Sequence, residues 1–397
     1  MQKYVYVDGK MYKRGYTTGS CAAAATKAAL AILLGENKLD SVEISTPKGI
    51  DLNIPVENIE MGENYVICSV KKDGGDDIDV THQMDIFSKV EIISEENIPR
   101  FCATKKLDYL EITAGKGIGR VSKKGLSIEP GRPAINPIPL SMIANEVEKI
   151  IEIMGIEIED YLDSKKILVT IFAPEGEKIA KNTFNSNLGI EGGISIIGTS
   201  GIVEPMSDEG WKKALSAELS IKREEGIKDI VLVPGNIGYD TMMNNFNIDE
   251  NKIVKMSNFI GFMLMECKRM GFKKITIAGH IGKLIKLSAG ISNTHSRVAD
   301  ARAEIMIANL ALMGCEKNTL EKINKCLTTD AMLDVVRENK LEAVFNIICQ
   351  KAANRAWKYL REGKEKIEVE VYMFSMDKQL LGRASANKLY INGDLEE

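Results

Sequence analysis

The chain has 397 residues, 44% of them hydrophobic and 27% charged, with a formal net charge of −4. That length suggests two domains, and the mix is that of soluble globular chains. The small negative charge argues against bulk attraction to nucleic acid or to an anionic membrane, while leaving room for a local basic cluster.

Seven cysteines are scattered without a CxxC or CxxH pair, so neither a zinc ribbon nor a disulfide framework is expected; reduced thiols in a cytoplasm fit best. The apolar stretch 22–34 is interrupted by Lys27 and preceded by strand-like 4–7, and reads as a buried helix rather than a signal sequence. No apolar run approaches the ~20 residues needed to cross a bilayer.

In chain order, a short strand leads through Arg14-Gly15-Tyr16-Thr17-Thr18-Gly19-Ser20 into that alanine-rich helix. Strands are expected near 42–45, 51–54, 65–71, 89–93 and 109–113, a helix over 141–154, and a strand over 167–172. Many strands and few helices argue an α+β domain over 1–190. From about Gly192 the rhythm changes. Short apolar strands at 194–197, 230–233, 253–255 and 275–278 are mostly separated by helical spacing, as at 208–225 and 258–270. This predicts an α/β domain over 191–397 with a parallel, Rossmann-like sheet. Helices dominate to about Arg361. A last alternating strand, 367–375, is expected as an antiparallel edge or as a return to the first domain, and the domain boundary is placed near 189–193.

Three expected strands of the second half end in glycine-rich loops: Gly198-Thr199-Ser200-Gly201, Gly235-Asn236-Ile237-Gly238 and Gly279-His280-Ile281-Gly282. Loops after parallel strands gather at one edge, where open α/β sheets bind ligands. One such loop is as readily a plain turn; three together point to a pocket fit for a nucleoside-type ligand. Gly115-Lys116-Gly117-Ile118-Gly119 follows a strand but opens no amphipathic helix, so it reads as a glycine turn and not as a dinucleotide motif.

The run from Lys72 to His82 concentrates carboxylates beside a histidine. It reads as a solvated acidic turn, as an acid/base site built on Asp76, Asp77 and His82, or as a metal loop, the last disfavoured by its spacing. Lys283, Lys286, His295, Arg297 and Arg302 form the densest cationic stretch. It is either a charged helix face or a clamp for carboxylates, with Asp300 and Glu304 competing for some of the cations. Thr17, Thr18 and Ser20 head the alanine-rich helix as a cap, with anion binding as an added possibility. Cys21 behind them reads as a packing residue.

GYTTGSCAAAA at 15–25, KDGGDDIDVTH at 72–82, GRPAINPIP at 131–139, NLGIEGGISIIGTSGIVEPM at 187–206 and GHIGKLIKLSAGISNTHSRVADAR at 279–302 occur in one order through nearly the whole chain. Together they resemble the CbiD family of anaerobic cobalamin biosynthesis. The resemblance implies methylation of C1 of cobalt-precorrin-5B to cobalt-precorrin-6A with S-adenosyl-L-methionine as donor, and a first domain of permuted ribosomal S5 domain 2 fold.

On that reading the donor lies on Gly198, Thr199, Ser200, Gly201, Gly235, Asn236, Gly238, Gly279, His280 and Gly282. The substrate carboxylates meet Thr17, Thr18, Ser20, Lys283, His295, Arg297 and Arg302, and the matched GRPAINPIP string adds Arg132. Asp76, Asp77 and His82 are the expected catalytic groups, approaching from the first domain. The cobalt arrives with the substrate, so no protein-bound metal is expected, and the oligomeric state, a homo-oligomer included, is left open. The sequence departs from the family at Gln83, where glycine is expected, at Leu140, where a basic residue is, and at Asn187, where an arginine is. Rival readings are a nicotinamide-dependent tetrapyrrole oxidoreductase, disfavoured by the missing strand–GxGxxG–helix unit, and a non-catalytic corrinoid-precursor carrier.

Overall fold

A computed structural model describes residues 4–7, 9–103, 107–186, 188–205, 208–361 and 367–386; Asn187 lies outside them. The chain divides into two compact units at Asp208/Glu209.

The alanine-rich run forms the helix Thr18–Leu33. Thr17, extended at φ −78° and ψ 165°, accepts from the Ser20 amide and starts it. Cys21 through Ala25 have no exposed surface. Small side chains on every face let neighbours approach this helix from all sides, as a helix buried all round requires. It packs on the helix Pro137–Ile153 and on two strands of a five-stranded sheet. The sheet order is Glu57–Met61, Tyr65–Lys71, Asp85–Ile93, Lys166–Phe172, Leu110–Ala114. Neighbours are antiparallel except the last pair, which is parallel. Period-two alternation turns Val66, Cys68 and Val70 of one strand and Ile86 and Val90 of the next into the core. The buried hydroxyls of Thr26 and Ser88 meet at 2.8 Å, so neither is left unsatisfied.

Residues 191–205 belong to this first unit, which corrects the boundary expected near 189–193. Gly193–Ile194 pairs in parallel with Gly117–Ile118, Ile190–Glu191 antiparallel with Arg120–Val121, and Ile202–Val203 antiparallel with Gly15–Tyr16. A β-branched run reads the same whichever sheet receives it, so local pattern could not assign the segment. The glycine turn expected at 115–119 passes into the short strand Arg120–Val121, with no helix opening there.

In the second unit the strand order is Ile253–Lys255, Asp229–Val233, Lys274–His280, Glu368–Phe374, Leu380–Ser385. The first four are mutually parallel and the last is antiparallel. Val231 and Val233 pack with Met242 on one face, while Ile230 and Leu232 pack with Met263 and Leu284 on the other. Burial on both faces explains the unbroken apolar runs. The strand expected over 367–375 is neither an antiparallel edge nor a return to the first unit. It lies parallel beside Lys274–His280, and Leu380–Ser385, which the sequence reading did not anticipate, forms the edge.

Candidate functional site

The acidic run is a loop braced from within, with part of its side chains left exposed. Lys72 is 2% exposed, and its ammonium meets Asp79 Oδ2 at 2.5 Å. Asp79 Oδ1 accepts from the Thr81 amide at 2.8 Å. Burial alone would raise the Asp79 pKa, but the Lys72 charge and the bonds from Lys72 and Thr81 outweigh it and hold it below the usual value. Asp73 is likewise lowered against its burial, by Lys13 Nζ at 2.6 Å and the Gly75 amide at 2.8 Å. Gly15 and Gly75 press backbone on backbone: a Cβ on Gly75 would stand 2.2 Å from the Lys13 carbonyl oxygen, and one on Gly15 2.2 Å from that of Asp73. No larger residue fits that contact.

Of the three groups expected to be catalytic, Asp76 and His82 are exposed and Asp77 is half-buried. Asp76 Oδ2 accepts from the Lys13 amide at 2.6 Å, and His82 Nδ1 accepts from the Gly74 amide at 2.9 Å. His82 Nδ1 is 4.0 Å from Asp73 Oδ1. These bonds hold Asp76 and His82 in a fixed frame, with His82 Nε2 on the ring edge opposite the Gly74 bond. Beside the loop, Tyr16, Pro55, Glu57, Lys71, Asp73 and Gln83 line a cavity of about 210 Å³. Gln83 has φ 65°, in the left-handed region where glycine is at ease, so the departure from glycine carries a backbone cost.

The helix head at Thr17 is closed to an anion, which corrects the expectation of a substrate site there. Thr17 N donates to the Gly201 carbonyl at 3.2 Å, Gly19 N to Ile197 O at 2.9 Å, and Cys21 N to Thr17 O at 3.0 Å. Thr18 Oγ1 accepts from Ile197 N at 2.9 Å and Ser20 Oγ donates to Gly201 O at 2.6 Å. The partners are Ile197 and Gly201, which bracket the loop assigned to the donor, and that loop belongs to the first unit and follows no strand of the parallel sheet. Burial pushes the Cys21 thiol up to about 12, as suits a packing residue.

The other two glycine loops do converge. The chain order of the second sheet reverses between Asp229–Val233 and Lys274–His280, and ligands of open α/β sheets bind beyond the strand ends at such a point. Gly235, Asn236 and Gly238 follow the first strand; His280 ends the second, with Gly282 and Lys283 in the helix Ile281–Ser288. Gly238 and Gly279 permit close packing of the two loops: a Cβ on Gly238 would lie 2.2 Å from Ala278 O, and one on Gly279 2.8 Å from Pro234 Cδ. Gly235 differs: its Cβ direction is open, and its φ of 177° suits any residue.

His280 caps its helix, Nδ1 accepting from the Gly282 amide at 3.1 Å. That bond leaves the ring proton on Nε2, which faces Asp330 Oδ1 at 3.4 Å. Lys283 Nζ donates to the Pro234 carbonyl at 3.0 Å and ties the two loops together; burial, then the neighbouring Lys286 charge, lowers its pKa.

The rest of the cationic stretch is largely committed. Lys286 is buried on the carbonyls of Thr294 and Ala299 at 3.3 and 2.7 Å. Arg302 grips Asp300 through two 2.7 Å bonds. His295 is exposed and accepts from the Arg297 amide at 3.2 Å. Arg132 Nη1 donates to Cys102 O at 2.7 Å, and Leu140 is buried in the first core, where it offers no charge to a ligand. The sequence reading missed Asp330, which lies 50 positions beyond the histidine it meets and in no glycine loop. Among the described residues, no three His, Cys, Asp or Glu side chains are grouped to hold a metal ion, and no helix is long and apolar enough to cross a membrane.

A family model described as CbiD matches residues 5–205, and one described as the CbiD C-terminal domain matches residues 293–385. The cobalt-precorrin-5B C(1)-methyltransferase of Clostridioides difficile strain 630 is 50% identical, over 97% of this chain and 97% of its own. That of Listeria welshimeri is 44% identical over 96% of each. A crystal structure of a cobalamin biosynthesis protein (CbiD) from Archaeoglobus fulgidus is 25% identical, covering 76% of this chain and 88% of that one, with a TM-score of 0.37. With one family model spanning the first unit, another the end of the second, and relatives matching almost end to end, the chain belongs to the CbiD family.

Proposed function

We propose that this chain transfers the methyl group of S-adenosylmethionine to C1 of cobalt-precorrin-5B, giving cobalt-precorrin-6A in anaerobic cobalamin biosynthesis. The observation that carries this reading is the near end-to-end match to relatives that bear that activity in their name, at up to 50% identity. Within the family, the resemblance further implies a permuted ribosomal S5 domain 2 fold for the first unit and a Rossmann-like second unit.

On this reading the donor binds at the reversal point of the second sheet, where open α/β sheets hold their ligands. There the open Gly235 lets backbone approach a ligand closely, and Asn236, His280 and Lys283 stand around it. In the transfer, a ring-carbon electron pair forms the new C–C bond. The S–CH3 bond breaks, and its pair returns to sulfur, leaving S-adenosylhomocysteine. Such an in-line displacement depends chiefly on holding the two reactants in register. Asp77 and His82, fixed by the braced loop, are the groups proposed to take up a proton or to stabilise positive charge on the ring. The cobalt enters as part of the substrate.

Incubation with cobalt-precorrin-5B and methyl-labelled donor, followed by location of the label, tests the proposal. Label on C1 is expected. No transfer, with NADPH rather than S-adenosylmethionine raising the melting temperature, would replace it with the oxidoreductase reading.

A further inference from the structure

We propose that Phe101, with Arg100, Arg120 and Arg132, forms a platform for the flat polycarboxylate macrocycle in the first unit. The inference rests on the cobalt-precorrin reading above for the class of ligand.

Phe101 is 48% exposed although it is a large apolar ring. It is held in place: Thr113 Oγ1 donates to its carbonyl at 3.1 Å, and Ala103 N donates to Ile112 O at 2.7 Å, tying the segment to the strand Leu110–Ala114. Two guanidiniums attend the ring. The Arg100 carbon is 5.4 Å from the ring centroid and that of Arg120 is 5.9 Å. This is cation–π range, which orients a guanidinium without consuming its hydrogen-bond donors.

Arg120 Nη1 is anchored on Gly131 O at 3.2 Å and Arg132 Nη1 on Cys102 O at 2.7 Å. One carbonyl takes one of five N–H groups, and the remainder stay available for forked carboxylate binding. Among the described residues, Arg100 and Arg120 have no carboxylate within 4.0 Å, whereas Arg302 and Arg269 are each locked in forked pairs. Arg132 has only the exposed Glu129 at 3.9 Å.

A half-exposed aromatic ring with two guanidiniums over it, neither with an acid partner among the described residues, matches one ligand chemistry closely. A corrin precursor has a broad apolar face and a rim of acetate and propionate carboxylates. The macrocycle lies across Phe101 and the guanidiniums over it, and its rim carboxylates meet Arg100, Arg120 and Arg132. The helix head at Thr17, which the sequence had suggested for those carboxylates, is already filled by the chain's own carbonyls.

The test is binding of two stable corrins to the full chain, followed by their visible absorbance. Cobyrinic acid keeps its rim carboxylates; cobinamide carries amides in their place. Arg100→Gln combined with Arg120→Gln should weaken cobyrinic acid about tenfold and leave cobinamide unchanged. Phe101→Ala should weaken both corrins roughly three- to tenfold. Phe101→Leu, which keeps apolar bulk without the aromatic face, serves if the alanine variant does not fold. S-adenosylhomocysteine affinity should be unchanged in every variant. If the wild-type chain binds cobyrinic acid and the folded variants bind it equally well, the platform is refuted while the functional reading stands. If the wild-type chain binds S-adenosylhomocysteine but neither corrin, the substrate reading falls and the platform with it.

Discussion

Asp79→Asn tests whether the buried ion pair braces the acidic loop. The asparagine keeps an Oδ1 acceptor for the Thr81 amide, so the change isolates the charge. It leaves the Lys72 ammonium, 2% exposed, without its partner at 2.5 Å. Breaking a fully buried pair from one side costs about 3–5 kcal/mol. The Asp79 side chain retains 22% exposure, which places the expected loss at the lower end, about 3 kcal/mol. For a domain of this size that lowers Tm by roughly 6–12 °C.

Thermal melts followed by circular dichroism read it directly. Adding Lys72→Met to Asp79→Asn should recover most of the loss, because it removes the stranded charge. The pH dependence has a fixed sign. Asp79 has its folded pKa below the ordinary carboxylate value, so its contribution is complete above about pH 4 and disappears as pH falls through the depressed value. The gap between wild type and Asp79→Asn should therefore be full at neutral pH and close in acid. A loss below about 1 kcal/mol at neutral pH, or a double variant worse than the single, would refute the bracing argument.

Gly235→Val should keep the fold and lower S-adenosylhomocysteine affinity at least about tenfold, since the new side chain has open space and unstrained φ but fills the ligand's approach. Gly201→Val should instead unfold the first unit at a lower temperature: its φ is +78° and its Cβ would stand 2.7 Å from Thr46 Cβ. Titration calorimetry and melting curves on both variants separate the two outcomes, and equal donor affinity in Gly235→Val would remove the donor from that loop. Asp77→Asn and His82→Ala should cut single-turnover methylation at saturating donor and substrate far more than they weaken either ligand; near-normal rates in both would leave the loop a structural one. Gln83→Gly should raise stability by up to about 1 kcal/mol in urea melts by relieving φ 65°, and a destabilised variant would show that the Gln83 side chain matters more than the backbone.

Local pattern located most elements to within a few residues. The strand expected over 65–71 is Tyr65–Lys71, that over 253–255 is Ile253–Lys255, and the helix over 208–225 is Asp208–Glu224. The strings that matched the CbiD family also sufficed for the family, because long ordered strings accumulate specificity that single motifs lack. The glycine loops at Gly235 and Gly279 were legible as an edge because strand, glycine and helix follow one another in the chain.

Partnership was not legible, since it joins residues far apart in sequence. Residues 191–205 have the composition of a strand-and-loop opening of the second domain, yet they pair with 15–16, 117–118 and 120–121. That pairing makes Gly198–Gly201 a loop of the first unit, where Ile197 and Gly201 fill the Thr17 amide and the Thr18 and Ser20 hydroxyls. The acidic run looked solvated because five charges stand together, and only the fold reveals that Lys72 is buried among them with Asp79 as its partner. Asp330 meets His280 across 50 residues, and Phe101 meets Arg120 across a strand and a turn. Side-chain period and turn chemistry depend on neighbours in the chain, and so sequence determined the elements and the family. Which hydrogen-bonding group satisfies which, and which charge is left facing outward, depends on neighbours in space, and only the tertiary structure decided that.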